Sequence, residues 1–296
     1  MRRNHDWLRT CIMQQPRGFL SLVGAILTEP CSPEADYGVF YIDALTYQPM
    51  CGAGTLSVAK VLVETGMVKR VEPETKIVLE TPTGLVTVYV KWENHMVASI
   101  NLENVPAFLY RKELHIDLAG YGDVSVDIGY GGNFFVLADV HSLGLTITKD
   151  TVNLLRSLSK DILAAANKVI KVAHPTNPAI NYLDQVLFCQ NVPEEDGGYL
   201  AQCIFGDAQA DISPCGTGTS TRLAQRYFRG LIGLEETFVQ KSVCGGAFHA
   251  KGLRETTLGG VPAIVPYVSC SDVHITGFNH LIVEENDKLK NGFVSW

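Results

Sequence analysis

The chain alternates between apolar runs typical of strands and segments whose apolar residues recur at helical spacing. Residues 19–42 and 180–205 each combine an apolar run, an acidic turn that contains proline, and a second apolar run rich in β-branched and aromatic residues. This pattern predicts strand, turn and strand. Residues 55–66 and 219–230 have apolar residues at helical spacing and end in glycine, which predicts two helices. The chain is therefore expected to fold as mixed α/β structure.

These segments are copies within one internal repeat. Cys51 begins the sequence Cys-Gly-Ala-Gly-Thr, and Cys215 begins the closely similar Cys-Gly-Thr-Gly-Thr. Each motif comes directly before a predicted helix, and a predicted hairpin with a glycine turn follows each helix, at 75–90 and at 237–253. The repeat predicts two similar α/β halves, each with a cysteine at the start of a helix.

The repeat is uneven ahead of the two motifs. The second half has a predicted apolar strand at 124–140, which includes a Gly-Gly turn, and a predicted helix at 151–170. In the first half, residues 5–15 can supply the helix, but nothing supplies the strand. We expect an N-terminal half at 1–122 whose first strand is absent, and a C-terminal half at 123–296 whose last residues pack back on the first half.

Composition and charge narrow the function classes. The chain has 24 Lys and Arg against 31 Asp and Glu, a net charge of −7, without a basic run of the kind that binds nucleic acid. Its start lacks the apolar core of a signal peptide, and its apolar stretches are too short to cross a membrane. We therefore expect a cytoplasmic protein with reduced thiols, no membrane partner and no nucleic-acid partner. The absence of a P-loop, a dinucleotide fingerprint, an HExxH string and a CxxC pair predicts no organic cofactor and no metal.

Two cysteines at two helix starts indicate acid–base chemistry. A helix N-terminus lowers the pKa of a thiol and binds anions. If the halves face each other, an amino acid can place its carboxylate between the helix starts and its α-carbon between the sulfurs of Cys51 and Cys215. One thiolate then removes the α-proton while the other thiol protonates the opposite face, which is cofactor-independent racemisation. The alternative is that each cysteine is a small buried residue.

Three segments resemble the proline racemase family: PMCGAGT at 49–55, DIGYGGNFF at 127–135 and DISPCGTGTS at 211–220. Residues 15–19, 262–278 and 287–293 are also similar to it. The family contains proline racemases, 4-hydroxyproline 2-epimerases and trans-3-hydroxyproline dehydratases. The resemblance implies the diaminopimelate-epimerase-like fold, with two pseudo-symmetric halves and the active site in the cleft between them. It also implies an amino-acid substrate and a homodimer.

Carried over by position, the resemblance assigns roles to seven residues. Cys51 and Cys215 match the two acid–base thiols, and Asp211 matches the carboxylate that receives the ring nitrogen of the substrate. Asp is also common in turns, so Asp211 has a structural alternative ahead of Ser213 and Pro214. Backbone donors to the substrate carboxylate match Gly52, Gly216 and Thr217, and the position that binds the substrate amine matches Ala53.

Departures from the family pattern leave several hypotheses open. The family normally has His where Ala53 stands. Its dehydratases usually have Thr at the second cysteine position, so Cys215 favours a racemase or epimerase. A glycine at the position of Gly54 is more typical of the hydroxyproline enzymes than of the proline racemases. The leading hypothesis is a racemase or epimerase of proline or 4-hydroxyproline. The alternatives are an impaired or inactive paralogue that binds a proline-like carboxylate, a trans-3-hydroxyproline dehydratase, and, ranked last, a thiol redox protein.

The remaining candidate residues are expected to be structural. Cys189, Cys203 and Cys270 lie in apolar runs and are predicted to be small buried residues. His274 lies in a stretch, 272–280, that we interpret as strand and turn. A pocket role is open to His274, but a structural role is favoured.

Overall fold

The computed structural model describes residues 2–191 and 198–294. Its helices are α1 (Asp6–Met13), α2 (Gly52–Glu64), α3 (Val152–Val169) and α4 (Gly216–Phe228), with a short 3₁₀ turn at Val140–Leu143. Its strands are β1 (Val23–Thr28), β2 (Tyr37–Asp43), β3 (Tyr47–Gln48), β4 (Glu74–Thr81), β5 (Gly84–Glu93), β6 (Met96–Glu103), β7 (Phe108–Leu118), β8 (Gly122–Tyr130), β9 (Phe134–Asp139), β10 (Gln185–Asn191), β11 (Tyr199–Phe205), β12 (Gln209–Ala210), β13 (Phe238–Lys241), β14 (Ala247–Leu258) and β15 (Val261–Cys270).

The strands form one mixed sheet that makes the internal repeat visible. Its order is β1-β2-β4-β5-β6-β15-β14-β13-β11-β10-β9-β8-β7, with β3 beside β2 and β12 beside β11. In each half, an antiparallel pair (β1–β2, β10–β11) continues through a parallel pairing to β4 or β13. Strands β6 and β15 pair antiparallel in the middle of the sheet and join the two halves. The predicted mixed fold with two pseudo-symmetric halves is confirmed.

The two motif helices end near the predicted glycines, but each begins three residues earlier than predicted, at the first glycine of its motif. In α2 the apolar residues Leu56, Ala59, Leu62 and Val63 are all buried, as helical spacing requires of an inward face. Gly66, just beyond the end of α2, has a φ of +73°, and Gly230, just beyond α4, has a φ of +69°. These left-handed conformations stop a helix and suit glycine, because glycine has no Cβ to clash.

Two sequence predictions are corrected. The predicted strand at 124–140 is two antiparallel strands, β8 and β9, joined by a turn at 131–133. Gly132 makes this turn possible, because its φ is +115° and a Cβ there would lie 2.8 Å from Cγ of Met50. Residues 272–280 form neither strand nor turn, because β15 ends at Cys270 together with its pairing to β6. Most of the acidic turn predicted within 180–205 lies outside the described residues.

The two halves differ at β1. Within the described part of the chain, β1 pairs only with β2, whereas its counterpart β10 lies between β9 and β11. No residue of β1 is buried, and the first five residues of β10 are all buried. The division expected at 122–123 falls between β7 and β8, which pair with each other, and it stays a prediction. Near the end of the chain, Asp287 binds Arg17 at 2.7 Å.

A buried carboxylate on β8 supports a stability prediction. Asp127 is 3% exposed and accepts hydrogen bonds from Arg229, at 2.8 Å to each oxygen, and from the Glu113 amide. Burial raises the pKa of Asp127, but these donors and Gln225 outweigh it and hold the pKa below its ordinary value. We expect Asp127→Asn to reduce the free energy of unfolding by about 3 kcal/mol in urea at neutral pH, because it removes the buried negative charge that pairs with the Arg229 guanidinium.

The pH dependence of this effect follows from the direction of the pKa shift. A lowered pKa in the folded state means that the Asp127 carboxylate stabilises the fold above the pKa of unfolded Asp. This contribution is lost as the pH falls through the lower, folded-state pKa. The difference between wild type and Asp127→Asn should therefore shrink in acid. Asp123, on the same strand but 69% exposed, is the control, and Asp123→Asn should change stability little. Equal effects of the two variants would contradict the prediction.

Candidate active site

The starts of α2 and α4 meet backbone to backbone between the two halves. A Cβ built on Gly52 would lie 2.7 Å from Cα of Gly216, and a Cβ on Gly216 would lie 2.7 Å from Cα of Gly52. Only glycine fits such an approach. Cys51 and Cys215 directly precede these glycines and cap the two helices. The repeat therefore brings both thiols to the junction of the halves.

The two thiols make the same local hydrogen bond. The sulfur of Cys51 accepts from the amide of Gly54, and the sulfur of Cys215 accepts from the amide of Gly218, each at 3.3 Å. The backbones differ, because Cys215 has a φ of +64° and Cys51 a φ of −141°. A non-glycine residue at such a positive φ costs about 1–2 kcal/mol, and residues of this kind cluster at functional sites. The positive φ of Cys215 therefore distinguishes the second motif from the first.

A small cavity of about 30 Å³ lies between the helix starts. Its lining includes all seven residues assigned from the sequence: Cys51, Gly52, Ala53, Asp211, Cys215, Gly216 and Thr217. A space of this size holds roughly one water molecule. A second cavity of about 520 Å³ opens beside it and shares Val23, Cys51, Ala53 and Asp211 with it. The larger cavity has the size of small-molecule sites, so the two together offer a path from solvent to the thiols.

The electrostatics of the small cavity differ from the sequence expectation. The pKa of Cys51 is raised to about 12, mainly by burial and to a smaller extent by nearby Asp211 and Cys215, while the Gly54 amide lowers it in part. The predicted lowering of the thiol pKa is therefore wrong for Cys51, because loss of hydration outweighs the helix N-terminus. Burial also raises the pKa of the Asp211 carboxyl. Among the described residues, no Lys, Arg or His lines this cavity.

The turn between β8 and β9 ties the two halves together at the site. Asn133 donates from its amide nitrogen to the carbonyl oxygen of Met50 at 2.9 Å and to the hydroxyl of Thr217 at 3.2 Å. Met50 precedes the first thiol, and Thr217 follows the second. Asn104 holds the same turn by donating to the carbonyl oxygen of Gly131 at 3.0 Å. The turn therefore fixes the position of one helix start relative to the other.

Cys203 was assigned a structural role from the sequence, but it lines the small cavity. Its sulfur, the sulfur of Cys215 and a carboxylate oxygen of Asp211 all lie within 4.8 Å of one another. The feature that places Cys203 at the site is the hairpin of β11 and β12, which brings Cys203 beside Asp211. In this hairpin the Asp211 amide donates to the carbonyl oxygen of Cys203 at 3.0 Å. Cys189 and Cys270 are buried as predicted, at 2% and 5% exposure, and line neither cavity.

Two glutamines, one from each half, also line the small cavity and were not predicted. Gln185 is 3% exposed and donates to the side-chain oxygen of Gln48 at 3.2 Å. Gln48 in turn donates to the carboxylate of Asp43 at 2.8 Å. Because Asp43 holds Gln48 and Gln48 holds Gln185, these amides form an ordered polar wall. His274, in contrast, is exposed and lines neither cavity.

The whole chain is similar to known proteins. The family model described as proline racemase matches residues 1–294. The chain is 38% identical over 294 residues to a proline racemase of Clostridioides difficile, covering 99% of this chain and 88% of that protein. It is 37% identical over 295 residues to a trans-3-hydroxy-L-proline dehydratase of Azospirillum brasilense, with 99% and 88% coverage. It is 36% identical over 299 residues to a 4-hydroxyproline 2-epimerase of Streptosporangium roseum, with 99% and 89% coverage.

Solved structures are similar as well. A hydroxyproline epimerase from Agrobacterium vitis, with bound trans-4-hydroxy-L-proline, superposes with a TM-score of 0.92 at 29% identity, covering 97% of this chain and 82% of that one. A methylitaconate-δ-isomerase superposes with a TM-score of 0.56 at 16% identity, covering 93% of this chain and 91% of that one, and shares the fold. Among the described residues, none of the helices combines the length and the hydropathy of a membrane-spanning helix.

Proposed function

We propose, because this chain belongs to the proline racemase family, that it inverts the α-carbon of proline or 4-hydroxyproline with two thiols as acid and base. One observation carries the proposal. Cys51 and Cys215 stand at equivalent helix starts on opposite halves and line the same cavity. Two-base inversion requires one proton carrier on each face of the α-carbon, and the internal repeat supplies such a pair.

In the proposed reaction, one thiolate removes the α-proton and the other thiol donates its proton to the opposite face. One C–H bond breaks and one forms, and the protonation states of the two sulfurs are exchanged at the end of each turnover. The pKa of Cys51, at about 12, favours its thiol form at neutral pH. The thiol form is the one that donates a proton, so Cys51 is suited to act as the proton donor when turnover begins. The next turnover in the same direction requires both sulfurs to return to their first protonation states.

The substrate carboxylate would lie against the two helix starts. The first amides of a helix have no carbonyl partner within it, so Gly52 and Ala53 on one side, and Gly216 and Thr217 on the other, are suited to donate to a carboxylate. Removing the α-proton moves negative charge onto that carboxylate. Two helix N-termini directed at the same group stabilise the charge as it develops.

Asp211 is the group suited to the ring nitrogen of the substrate. It is the one carboxylate that lines the small cavity among the described residues, and Ala53 contributes no polar side chain there. A substrate ammonium would bring positive charge to a cavity that lacks a cation and would favour the ionised form of Asp211. The wall of Gln48 and Gln185 offers amides that can hydrogen-bond a ring hydroxyl, which favours 4-hydroxyproline over proline.

The function can be tested by incubating the protein in D₂O with L-proline and, separately, with trans-4-hydroxy-L-proline. Nuclear magnetic resonance then follows loss of the α-proton signal while polarimetry follows inversion. We expect deuterium incorporation with inversion for at least one substrate, and faster turnover of the hydroxylated one. A planar pyrrole-2-carboxylate should inhibit, because it resembles the flattened α-carbon of the transition state.

The same assay distinguishes the alternatives. Saturable binding of pyrrole-2-carboxylate with no α-proton exchange would contradict catalysis and support the binding paralogue, for which the absence of a polar side chain at Ala53 is the specific observation. Loss of water from trans-3-hydroxy-L-proline, without inversion of the other two substrates, would instead identify a dehydratase.

A further inference from the structure

We propose that Cys203, Asp211 and Cys215 form a binding site for a thiophilic divalent cation such as Zn²⁺ or Cd²⁺. The three side chains converge on one wall of the small cavity, and their ligand atoms lie within 4.8 Å of one another. In a tetrahedral zinc site, sulfur ligands about 2.3 Å from the metal are about 3.8 Å apart. Closing the cluster around an ion therefore needs side-chain shifts of roughly an ångström or less, which rotation of the side chains can supply.

The charge balance of the cavity favours a cation. Thiols and a carboxylate line it, and no Lys, Arg or His among the described residues contributes to its wall. Because a metal ion binds the deprotonated forms of thiol and carboxyl ligands, binding should release protons and strengthen as the pH rises.

The ligand set also suits a soft metal better than a hard one. Two sulfurs and one carboxylate are typical ligands of Zn²⁺ and its heavier relatives, whereas Mg²⁺ and Ca²⁺ require shells of oxygen. Three protein ligands leave a fourth tetrahedral position for water, as in open zinc sites. Cys51 also lines the cavity and offers a further thiol. The site therefore selects thiophilic ions by both donor type and number.

Occupation by a metal would exclude an amino acid. Cys215 and Asp211 line the cavity and would contact both occupants. The ion and the amino acid should therefore compete. This consequence rests on the proposed function, whereas binding of the ion does not. Cys203 would then set the sensitivity of the protein to thiophilic metals.

Binding can be measured with Cd²⁺ as the probe. The full chain, in a background of Cys31→Ser and Cys244→Ser to remove the two exposed thiols, is stripped with chelator, kept reduced and titrated while the thiolate-to-cadmium absorption is recorded. We expect saturation at one ion per chain. Cys203→Ala should weaken binding by at least ~100-fold, since a direct ligand contributes more than an outer-shell partner. Cys189→Ala is the matched control, because Cys189 and Cys203 are each 2% exposed on neighbouring strands but only Cys203 lines the cavity.

The outcomes are separable from those of the isomerase assay. The absorption reports the ion even in a chain that turns over no amino acid, so an inactive protein that binds Cd²⁺ contradicts the proposed function and supports the metal site. No saturable one-to-one signal, or equal affinity in Cys203→Ala and Cys189→Ala, would overturn the metal site. If circular dichroism shows that Cys203→Ala does not fold, Cys203→Ser replaces it, and the same loss of affinity is required.

Discussion

Replacing Gly216 by alanine should reduce isomerase activity by at least ~100-fold while the chain still folds, because a displacement of about 1 Å at the reacting groups is enough for such a loss. The new Cβ would lie 2.7 Å from Cα of Gly52 and 3.1 Å from its carbonyl carbon. Both contacts are with backbone atoms, so the helix starts must separate. Cys51 and Cys215 move with them, since each directly precedes its helix.

The expected change in the free energy of unfolding has the opposite sign to the one that helix propensity alone predicts. Gly→Ala inside a helix normally stabilises by about 1 kcal/mol. Here overpacking should cost roughly 1–3 kcal/mol of unfolding free energy. Gly52→Ala should have the same effect, and the double variant should lose less than the sum of the two, because both changes disrupt one contact. Gly233→Ala, where the nearest atom to a built Cβ is 3.7 Å away, is the control. Wild-type activity in Gly216→Ala would show that the close approach is not required.

Cys51→Ser and Cys215→Ser should each abolish inversion, by about 10³-fold or more, because a serine hydroxyl is a far weaker acid than a thiol and cannot carry the proton. In the proposed mechanism, the remaining thiol still faces one side of the α-carbon. In D₂O we therefore expect each variant to exchange the α-proton of only one enantiomer, at a residual rate and without inversion. The two variants should favour opposite enantiomers, which proton nuclear magnetic resonance of D- and L-substrate would show.

The exposed thiols supply the control for this experiment. Cys31 and Cys244 are exposed and lie outside both cavities, so Cys31→Ser should leave inversion unchanged. Full inversion in either Cys51→Ser or Cys215→Ser would contradict two-thiol catalysis. Exchange of the same enantiomer by both variants would contradict the placement of the two sulfurs on opposite faces.

The sequence predicted most of the regular elements because the repeat gives each one twice. The motif helices, the hairpins after them and the paired strands before them all follow from local patterns of apolar and turn residues. The prediction of one strand at 124–140 was wrong. Residues on both sides of the Gly-Gly turn are apolar, so the sequence pattern is continuous, although the chain reverses direction at the turn. The stretch at 272–280 failed because strand formation depends on a partner, and β6 provides pairing only as far as Cys270.

The candidate site residues follow from two local motifs and the family resemblance, but their environment does not. The pKa of Cys51 depends on how closely the two halves pack, which is a property of residues far apart in the chain. Cys203 was missed because its nearness to Cys215 depends on the return of the chain through β12 to Asp211. Gln48 and Gln185 were missed for the same reason, since they meet only when the halves are assembled.

Among the residues that the structure describes, one side of β1 has no strand partner, and this makes the two halves mechanically unequal although they are similar in plan. Val23 of β1 and Gln185 of β10 hold equivalent places, because Val23 pairs with Asp43 of β2 and Gln185 pairs with Phe205 of β11. Two residues farther along each strand, Ala25 therefore corresponds to the fully buried Leu187. An open edge presents backbone groups that another extended chain can join, and it opens at lower free energy than an enclosed strand. The strands of the half that carries Cys51 should therefore unfold locally more readily than those of the half that carries Cys215. Local unfolding should then expose Cys51 to alkylating reagents before Cys215.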